Sequence, residues 1–178
     1  MVSRMRRIIL PVVTALAIVC HSPTCFTQQN QPASAEQKQV AADDGLKPED
    51  KAELIKLSLE RALVEKKIPD YNIIEKQETF LLSSENLTTD LVPQIKGYEL
   101  VVLAPKQIQE RAESRGDYVY YFRFRKFEVQ GAKVRVSLDN IPMYAKKPSR
   151  LAFGGGFTVE YQKIEDKWVG EEVLNWIV

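Results

Sequence analysis

The residue types best suited to chemistry cluster in one aromatic and basic segment, YVYYFRFRKFEV, at residues 118–129. Tyrosine hydroxyls donate hydrogen bonds and arginines pair with anions. A carboxylate beside them in an apolar cavity could act as a general base, because burial raises its pKa. The candidate ligand-binding residues are Tyr118, Tyr120, Arg123, Arg125 and Glu172, and Asp139 is a second candidate for the base.

Each of these residues also has a purely structural interpretation, which the sequence favours. Tyrosines that alternate along a strand usually belong to the core or its rim, and exposed carboxylates are usually solvated. Two arginines on a sheet face more often balance neighbouring acids than bind a ligand. We therefore assign no catalytic residue, no metal ligand and no cofactor from the sequence.

Residues 1–27 have the three parts of a secretory signal peptide. A basic start is followed by an apolar run at residues 8–19, which is short for a membrane span, and then by smaller polar residues. The pattern predicts a secreted or periplasmic protein. Lipid attachment at Cys20 is less favoured, because Val19 stands where the motif of bacterial lipoproteins has a small residue.

Histidine and cysteine occur only in this leader, as Cys20, His21 and Cys25. If processing follows Cys25, the mature chain lacks both residue types. That excludes Ser-His-Asp and Cys-His nucleophile systems, disulfides and zinc sites with the usual ligands. Any reaction would have to use carboxylates, Tyr, Lys, Arg, Ser or Thr, or a hard cation held by oxygen ligands.

The chain after the leader is slightly acidic. The formal net charge of +1 includes three leader arginines, and 22 basic and 24 acidic residues follow from residue 28 onward. Nonspecific nucleic-acid binding requires clustered positive charge, so we expect no nucleic-acid partner. Residues 28–45 carry five glutamines and no aromatic residue, which predicts a disordered linker.

Helical and strand patterns then alternate up to residue 114. An amphipathic helix is predicted between Leu46 and Pro69, with an apolar stripe formed by Ile55, Leu59, Ala62 and Leu63. Further elements are predicted as a short helix at 70–76, strands at 79–82 and 98–103, and a helix at 105–114 in which Ile108 and Ala112 share a face.

The last third of the chain predicts long strands. A strand begins near residue 118, and its apolar residues change parity near Arg125, which predicts a β-bulge. A turn at 130–133 leads into a second strand, followed by a loop at 140–150. Residues 151–178 predict a hairpin that turns at Asp166-Lys167.

Two features of this hairpin allow alternatives. The last strand has apolar residues on both sides, so we expect cover on both faces, and dimerisation through an exposed sheet face is the alternative. The glycines at 154–156 resemble a phosphate cradle. They run into a strand, however, which favours a bulge or a close backbone approach.

These elements predict a single α+β domain at residues 46–178. We expect a curved antiparallel sheet of four long C-terminal strands plus two short ones, wrapped around two or three helices. The order and length of the elements resemble the NTF2-like (cystatin-like α+β) superfamily, with no diagnostic motif. The resemblance implies a pocket at the open end of the sheet. It also implies either a small isomerase or hydrolase acting on hydrophobic compounds, or an exported protein that only binds.

Two hypotheses about function follow. The first is an exported, non-catalytic binding or interaction module, whose partner is an unknown small molecule or an envelope protein. The second is a small pocket enzyme that uses carboxylate and Tyr groups. No catalytic constellation favours the second hypothesis, and a fold alone does not choose between them.

Overall fold

The computed structural model describes residues 45–69 and 71–177. The helices are α1 (Pro48–Leu63) and α2 (Pro105–Arg115), and short 3₁₀ segments lie at Tyr71–Ile73 and Thr89–Leu91. The strands are β1 (Thr79–Ser83), β2 (Glu99–Leu103), β3 (Tyr118–Gln130), β4 (Lys133–Tyr144), β5 (Gly155–Ile164) and β6 (Lys167–Ile177). The predicted signal peptide, and the predicted linker up to residue 44, lie outside the described residues.

The strands form one sheet in the order β2-β1-β3-β4-β5-β6. The four long strands β3 to β6 are antiparallel neighbours, as the sequence predicts, and the α+β class is confirmed. The two short strands differ from the prediction, because β1 is parallel to both β2 and β3 and the sheet is therefore mixed. Parallel pairing is possible here because residues 84–98 carry the chain back along the sheet before β2 begins.

Helix α1 covers the sheet face that carries the main core. Its buried residues include the predicted stripe, and its first turn holds Glu49 and Asp50, which suit the positive end of the helix dipole. Phe122, Phe124 and Phe157 are completely buried beneath it. Apolar burial of this kind contributes roughly 1.5–3 kcal/mol for each large side chain, so this layer is the main source of stability.

The predicted bulge in β3 is confirmed. The β3–β4 register shifts between Phe124 and Lys126, so Arg125 is the extra residue. The shift turns Phe127 back toward the core, where it stacks on Phe124 at 5.4 Å between ring centroids. Asn86 donates hydrogen bonds from its side-chain amide to the carbonyl oxygens of Phe124 and Arg125, which the irregular ladder leaves available.

Helix α2 lies on the opposite face of the sheet. Its Ile108 and Ala112 are buried in a second, smaller cluster with Leu81, Val119 and Tyr121. These strand residues alternate with those of the main core and so point away from α1. The sheet therefore lies between two helices. The sequence predicted that the sheet wraps around all of its helices on one face, but only α1 lies on that face.

The terminal hairpin closes one residue earlier than predicted. Glu165 and Asp166 both have positive φ, at 48° and 63°, as a two-residue hairpin turn requires. Asp50 of α1 accepts hydrogen bonds from Lys163 and Trp168 and so ties the helix to this hairpin. One loop boundary was wrong, because β4 continues to Tyr144 through residues predicted to be loop.

The predicted close backbone approach at residues 154–156 is confirmed. A β-carbon on Gly154 would lie 2.5 Å from the Asn140 carbonyl oxygen, and one on Gly156 would lie 2.5 Å from Cζ2 of Trp176. Gly170 on β6 is equally confined, because a β-carbon there would lie 2.4 Å from Cε1 of the buried Tyr161. These positions have no room for a side chain.

We expect Gly170→Ala to lower the free energy of unfolding by about 1–3 kcal/mol, because the added methyl group overpacks Tyr161 and Val159. Urea unfolding at neutral pH measures the change. The control is Glu171→Ala on the same strand, where the side chain is exposed and the effect should stay within about 0.5 kcal/mol. Equal stability of the two variants would contradict the close packing.

Candidate functional site

Tyr118 and Tyr120 lie together at the start of β3. Their rings meet edge to face at 5.4 Å, and the guanidinium of Arg150 lies 5.1 Å from the Tyr118 ring. The Tyr120 hydroxyl donates a hydrogen bond of 2.6 Å to the carbonyl oxygen of Phe153. The two tyrosines thus form an aromatic wall that the segment before β5 holds in place.

The start of β3 also borders a cavity that we call the strand-end cavity, although the two rings lean away from it toward Tyr144 and Phe153. Strands β1 and β3 pair only at Leu81–Tyr121 and Leu82–Phe122, so their first residues separate. The cavity has a volume of about 560 Å³ and is lined by Gln77, Thr79, Leu81, Arg111, Arg115, Tyr118, Val119 and Tyr120. No carboxylate belongs to this lining, so its only charges are those of two arginines.

Arg123 and Arg125 lie elsewhere, around the carboxylate of Asp139 on β4. Arg123 donates a hydrogen bond of 2.9 Å to Asp139, and Nε of Arg125 lies 3.6 Å from the same oxygen. Glu85 approaches Arg123 from the loop after β1, at 3.9 Å. The two arginines therefore balance neighbouring acids, which is the structural interpretation that the sequence favoured.

Asp139 is nearly inaccessible, with 2% of its surface exposed. Burial raises the pKa of its carboxyl, and the hydrogen bond from Arg123 and the charge of Arg125 offset only part of that effect. Burial opposes ionisation of Arg123 as well, but the hydrogen bond to Asp139 and nearby charges raise the pKa of the guanidinium. The other carboxylate oxygen of Asp139 has no hydrogen-bond partner among the described residues, which adds to the cost of its burial.

Glu172 lies on β6, far from the tyrosines. It pairs with Arg61 of α1 at 3.6 Å and accepts a hydrogen bond from Asn175. The strand registers place it three strands away from Tyr120 and about six residues further along the sheet, a separation of roughly 25 Å. The structure therefore brings Tyr118 and Tyr120 together and leaves both candidate bases, Glu172 and Asp139, outside their cavity.

Strand β6 is the most exposed element of the sheet. It pairs only with β5, and its outer backbone edge faces no other strand of the described chain. The exposed fractions of its large apolar side chains are 54% for Val169, 46% for Val173, 58% for Leu174 and 62% for Ile177. The expectation that this strand is covered on both faces was wrong. On one face of the described sheet α1 reaches β6 only through Asp50 at Trp168 and Arg61 at Glu172, and on the other face α2 packs on the opposite end of the sheet.

Beside β6, the sheet face opposite α1 carries a shallow groove that we call the open-face groove. It has a volume of about 390 Å³ and is lined by Lys126, Glu128, Arg135, Ser137, Thr158, Val173 and Leu174. Ser137 and Thr158 share a hydrogen bond of 2.8 Å, and Glu160 is held by Lys133 and Arg135. The polar groups of the groove are mutually paired, whereas its β6 side is apolar.

Sequence reasoning missed Arg111 and Arg115 as possible binding residues. They lie four apart on α2, hence on one helix face, and that spacing is readable in the sequence. Only the tertiary structure places both residues in the lining of the strand-end cavity. Among the described residues no group of three or more His, Cys, Asp or Glu side chains is arranged to hold a metal ion.

Comparison with known proteins adds little. No family model matches the chain, and no curated protein matches it. One solved structure is similar, a de novo designed β-sheet protein of cystatin fold, at 14% identity and a TM-score of 0.26, covering 43% of this chain and 99% of that one. Within the described residues, no helix has the length and apolar character needed to cross a membrane.

Burial of Asp139 predicts a specific pH dependence. Its raised pKa means that, just above the ordinary titration range of Asp, the folded protein holds a proton that the unfolded chain has released. The free energy of unfolding of the wild type relative to Asp139→Asn should therefore fall as pH rises through that window. Urea unfolding at a series of pH values measures the difference.

Glu160 provides the control with the opposite sign. Hydrogen bonds from Lys133 and Arg135 lower the pKa of its carboxyl. Above the pKa that Glu160 has in the unfolded chain, the wild type should therefore have a larger free energy of unfolding than Glu160→Gln. This advantage should be lost as pH falls through the lower pKa that Glu160 has in the folded protein. The free energy of unfolding of the wild type relative to Asp139→Asn could instead rise with pH, as it does for Glu160→Gln. That result would mean that the arginines lower the pKa of Asp139 by more than burial raises it.

Proposed function

We propose that this protein is an exported, non-catalytic interaction module that binds another polypeptide strand along β6. The observation that carries the proposal is the outer edge of this 11-residue strand, which pairs with no other strand of residues 45–69 and 71–177. Val169, Val173, Leu174 and Ile177 of the same strand are exposed. The occupant to which we commit is β6 of a second copy of the chain.

The physical reason is that a long, apolar edge strand is a template for strand addition. Backbone N–H and C=O groups along the edge gain partners, and side chains of alternate residues gain contacts on each face. Soluble proteins usually protect such edges with prolines, with charges or by making the strand short. Strand β6 contains no proline, and Val173 and Leu174 follow its two central acids.

The charges of β6 restrict how two copies could pair. An antiparallel pair centred on Glu171 or Glu172 would place an acid opposite its own copy, which is destabilising. A pair centred on Val173, which is the extra residue of a bulge that β6 forms against β5, places Glu171 opposite Asn175 and Glu172 opposite Leu174. No two acids then face each other. One strand pair buries a small interface, so we expect a dissociation constant on the order of 10 µM.

The remaining parts of the proposal rest on the sequence. Export is supported by the basic and apolar leader at residues 1–27. Membership in the NTF2-like superfamily is supported by the element order from α1 to β6. The placement of α2 on the face opposite α1 departs from the sheet wrapped around its helices that this resemblance implied.

The alternative, a small pocket enzyme, has less support from the geometry. It requires a carboxylate beside Tyr118 or Tyr120, and the strand-end cavity has no carboxylate in its lining. Asp139 and Glu172 are each engaged with arginines instead. A ligand that enters the cavity would meet groups that bind it and no group placed to remove a proton.

Sedimentation equilibrium of the purified protein over a concentration range up to about 300 µM tests the proposal, since it spans the expected dissociation constant. We expect a monomer–dimer equilibrium, with amide hydrogen exchange in β6 slowing as the dimer forms. The double variant Val173→Lys/Leu174→Lys should weaken association at least about tenfold, because it places charge on the apolar strand.

The matched control is Leu151→Lys, which adds a charge at a residue that is 79% exposed and lies outside β6. It should associate like the wild type. A protein that stays monomeric over the whole range, or a β6 double variant that associates as well as the control, would refute pairing through β6. Circular dichroism shows whether each variant is folded.

A further inference from the structure

The loop between β4 and β5, at residues 145–154, presents exposed apolar and basic side chains together. We propose that this β4–β5 loop binds the surface of an anionic phospholipid membrane. Leu151 and Phe153 would enter the boundary between headgroups and acyl chains, and Lys146 and Lys147 would contact lipid phosphates. The loop is a different surface from the edge of β6, and membrane binding goes beyond the interaction proposed above.

The apolar part of the site is unusually exposed. Leu151 and Phe153 have the largest exposed fractions among the large apolar side chains of the described residues, at 79% and 64%. Ile177 is 62% exposed and pairs with Gly155, so it lies at the same end of the sheet. Exposed apolar side chains grouped in this way mark an interaction site.

The backbone of the β4–β5 loop is held by tyrosines of the strands beneath it. The Tyr144 hydroxyl accepts a hydrogen bond from the Ala152 N–H and donates one to the Ala152 carbonyl oxygen. The Tyr120 hydroxyl donates a hydrogen bond of 2.6 Å to the Phe153 carbonyl oxygen. Ala152 lies between Leu151 and Phe153, so these bonds fix the backbone that carries both apolar side chains. A loop that is ordered before binding loses less conformational entropy when it binds.

The β4–β5 loop is positively charged, whereas the chain from residue 28 onward is slightly acidic as a whole. The loop contains Lys146, Lys147 and Arg150 and no acidic residue. Arg150 is paired with Asp117 at 3.1 Å. Lys146 and Lys147 are exposed and form no ion pair within the described residues. The two lysines therefore supply the charge that is available to an anionic partner.

Two acids beneath the loop help to hold it in place. Asp117 accepts hydrogen bonds from the side chains of Ser149 and Arg150. Glu113 at the end of α2 accepts one from the backbone N–H of Lys146. These acids offset part of the positive charge, so we expect binding to require the apolar side chains as well as the lysines.

A membrane fits this combination better than another macromolecule does. Peripheral attachment combines apolar side chains that enter the membrane interface with basic side chains that contact anionic headgroups. A stable protein interface buries about 800 Å² on each partner, which is more than two apolar side chains on a loop offer. A nucleic acid would use the lysines through its phosphates but would gain little from Leu151.

The opposite end of the sheet provides an internal comparison. Val129 and Ile164 are exposed there, at 44% and 54%, beside the two hairpin turns. Residues 160–167 at that end contain three acidic and two basic residues. That end therefore combines apolar exposure with mixed charge, which fits an anionic surface poorly.

Hydrogen exchange of the full chain with phospholipid vesicles tests the proposal. Vesicles of phosphatidylglycerol and phosphatidylcholine in equal parts should slow amide exchange in the β4–β5 loop. The lipid concentration that gives half of this protection measures the affinity of the loop. It should be at least about tenfold higher for vesicles of phosphatidylcholine alone, because each lysine near an anionic surface contributes about fivefold. The readout is local, so it separates the loop from any contact that residues 1–27 make.

Two double variants separate the charged part of the site from the apolar part. Lys146→Gln/Lys147→Gln should raise the half-protection lipid concentration at least about fivefold. Leu151→Ser/Phe153→Ser should raise it at least about tenfold, because binding scales with the apolar area that enters the interface. All four side chains are exposed, so both variants should fold, and their melting temperatures verify this.

Matched controls remove the same kinds of group elsewhere. Lys106→Gln/Lys167→Gln removes two exposed lysine charges outside the loop. Val129→Ser/Ile164→Ser removes exposed apolar side chains at the opposite end of the sheet. Each control should stay within about twofold of the wild type, because charges and apolar groups far from the lipid contribute little.

Several results would overturn the proposal. Loop exchange that anionic vesicles do not slow, or that phosphatidylcholine alone slows equally, would refute binding to an anionic membrane. A loss in the lysine variant with none in Leu151→Ser/Phe153→Ser would mean that the loop attracts anions in general, an acidic protein or nucleic acid included, and would also refute it. Both loop variants should dimerise through β6 like the wild type, so failure at one surface is distinguishable from failure at the other.

Discussion

The packing of α1 on the aromatic face of β3 to β5 is the interaction on which the rest of the structure depends. Phe122 and Phe124 of β3 and Phe157 of β5 are completely buried on this face, and α1 supplies Leu54 and Leu59 to the same core cluster. This arrangement requires Phe122, Phe124 and Phe127 to lie on the same face of β3. The bulge at Arg125 meets that requirement, and Asn86 satisfies the carbonyl groups that the bulge exposes.

The same constraint creates the two exposed regions of the sheet. A helix of 16 residues is about 24 Å long and cannot cover the whole face of a six-stranded sheet. Helix α2 packs near β1 and the start of β3 on the opposite face, which leaves the open-face groove and the β6 side of that face uncovered. The early separation of β1 from β3 opens the strand-end cavity beneath the last turns of α2.

Charge is distributed differently in these regions. On the face opposite α1, Arg123 and Arg125 surround Asp139, and Lys133 and Arg135 hold Glu160, so the charges are balanced locally. The strand-end cavity lacks such balance, since two arginines face it without an acid.

The local pattern of the sequence determined much of this fold. Periodicity gave α1 with its stripe, α2 with Ile108 and Ala112, and the four long strands. The parity change at Arg125 identified the bulge, because alternation along a strand reports which face each side chain takes. Steric crowding explains why the glycines before β5 could be recognised as a close approach: only a residue without a side chain fits there.

Only the tertiary structure decided which residues meet. Tyr118 and Glu172 were one candidate site in the sequence, yet register places them on distant strands, because strand order and pairing depend on contacts between segments far apart in the chain. The apolar pattern of β6 predicted burial, but an edge strand is buried only if another element reaches it. The parallel pairing of β1 and the position of Arg111 in the lining of the strand-end cavity likewise follow from long-range packing, which local periodicity does not record.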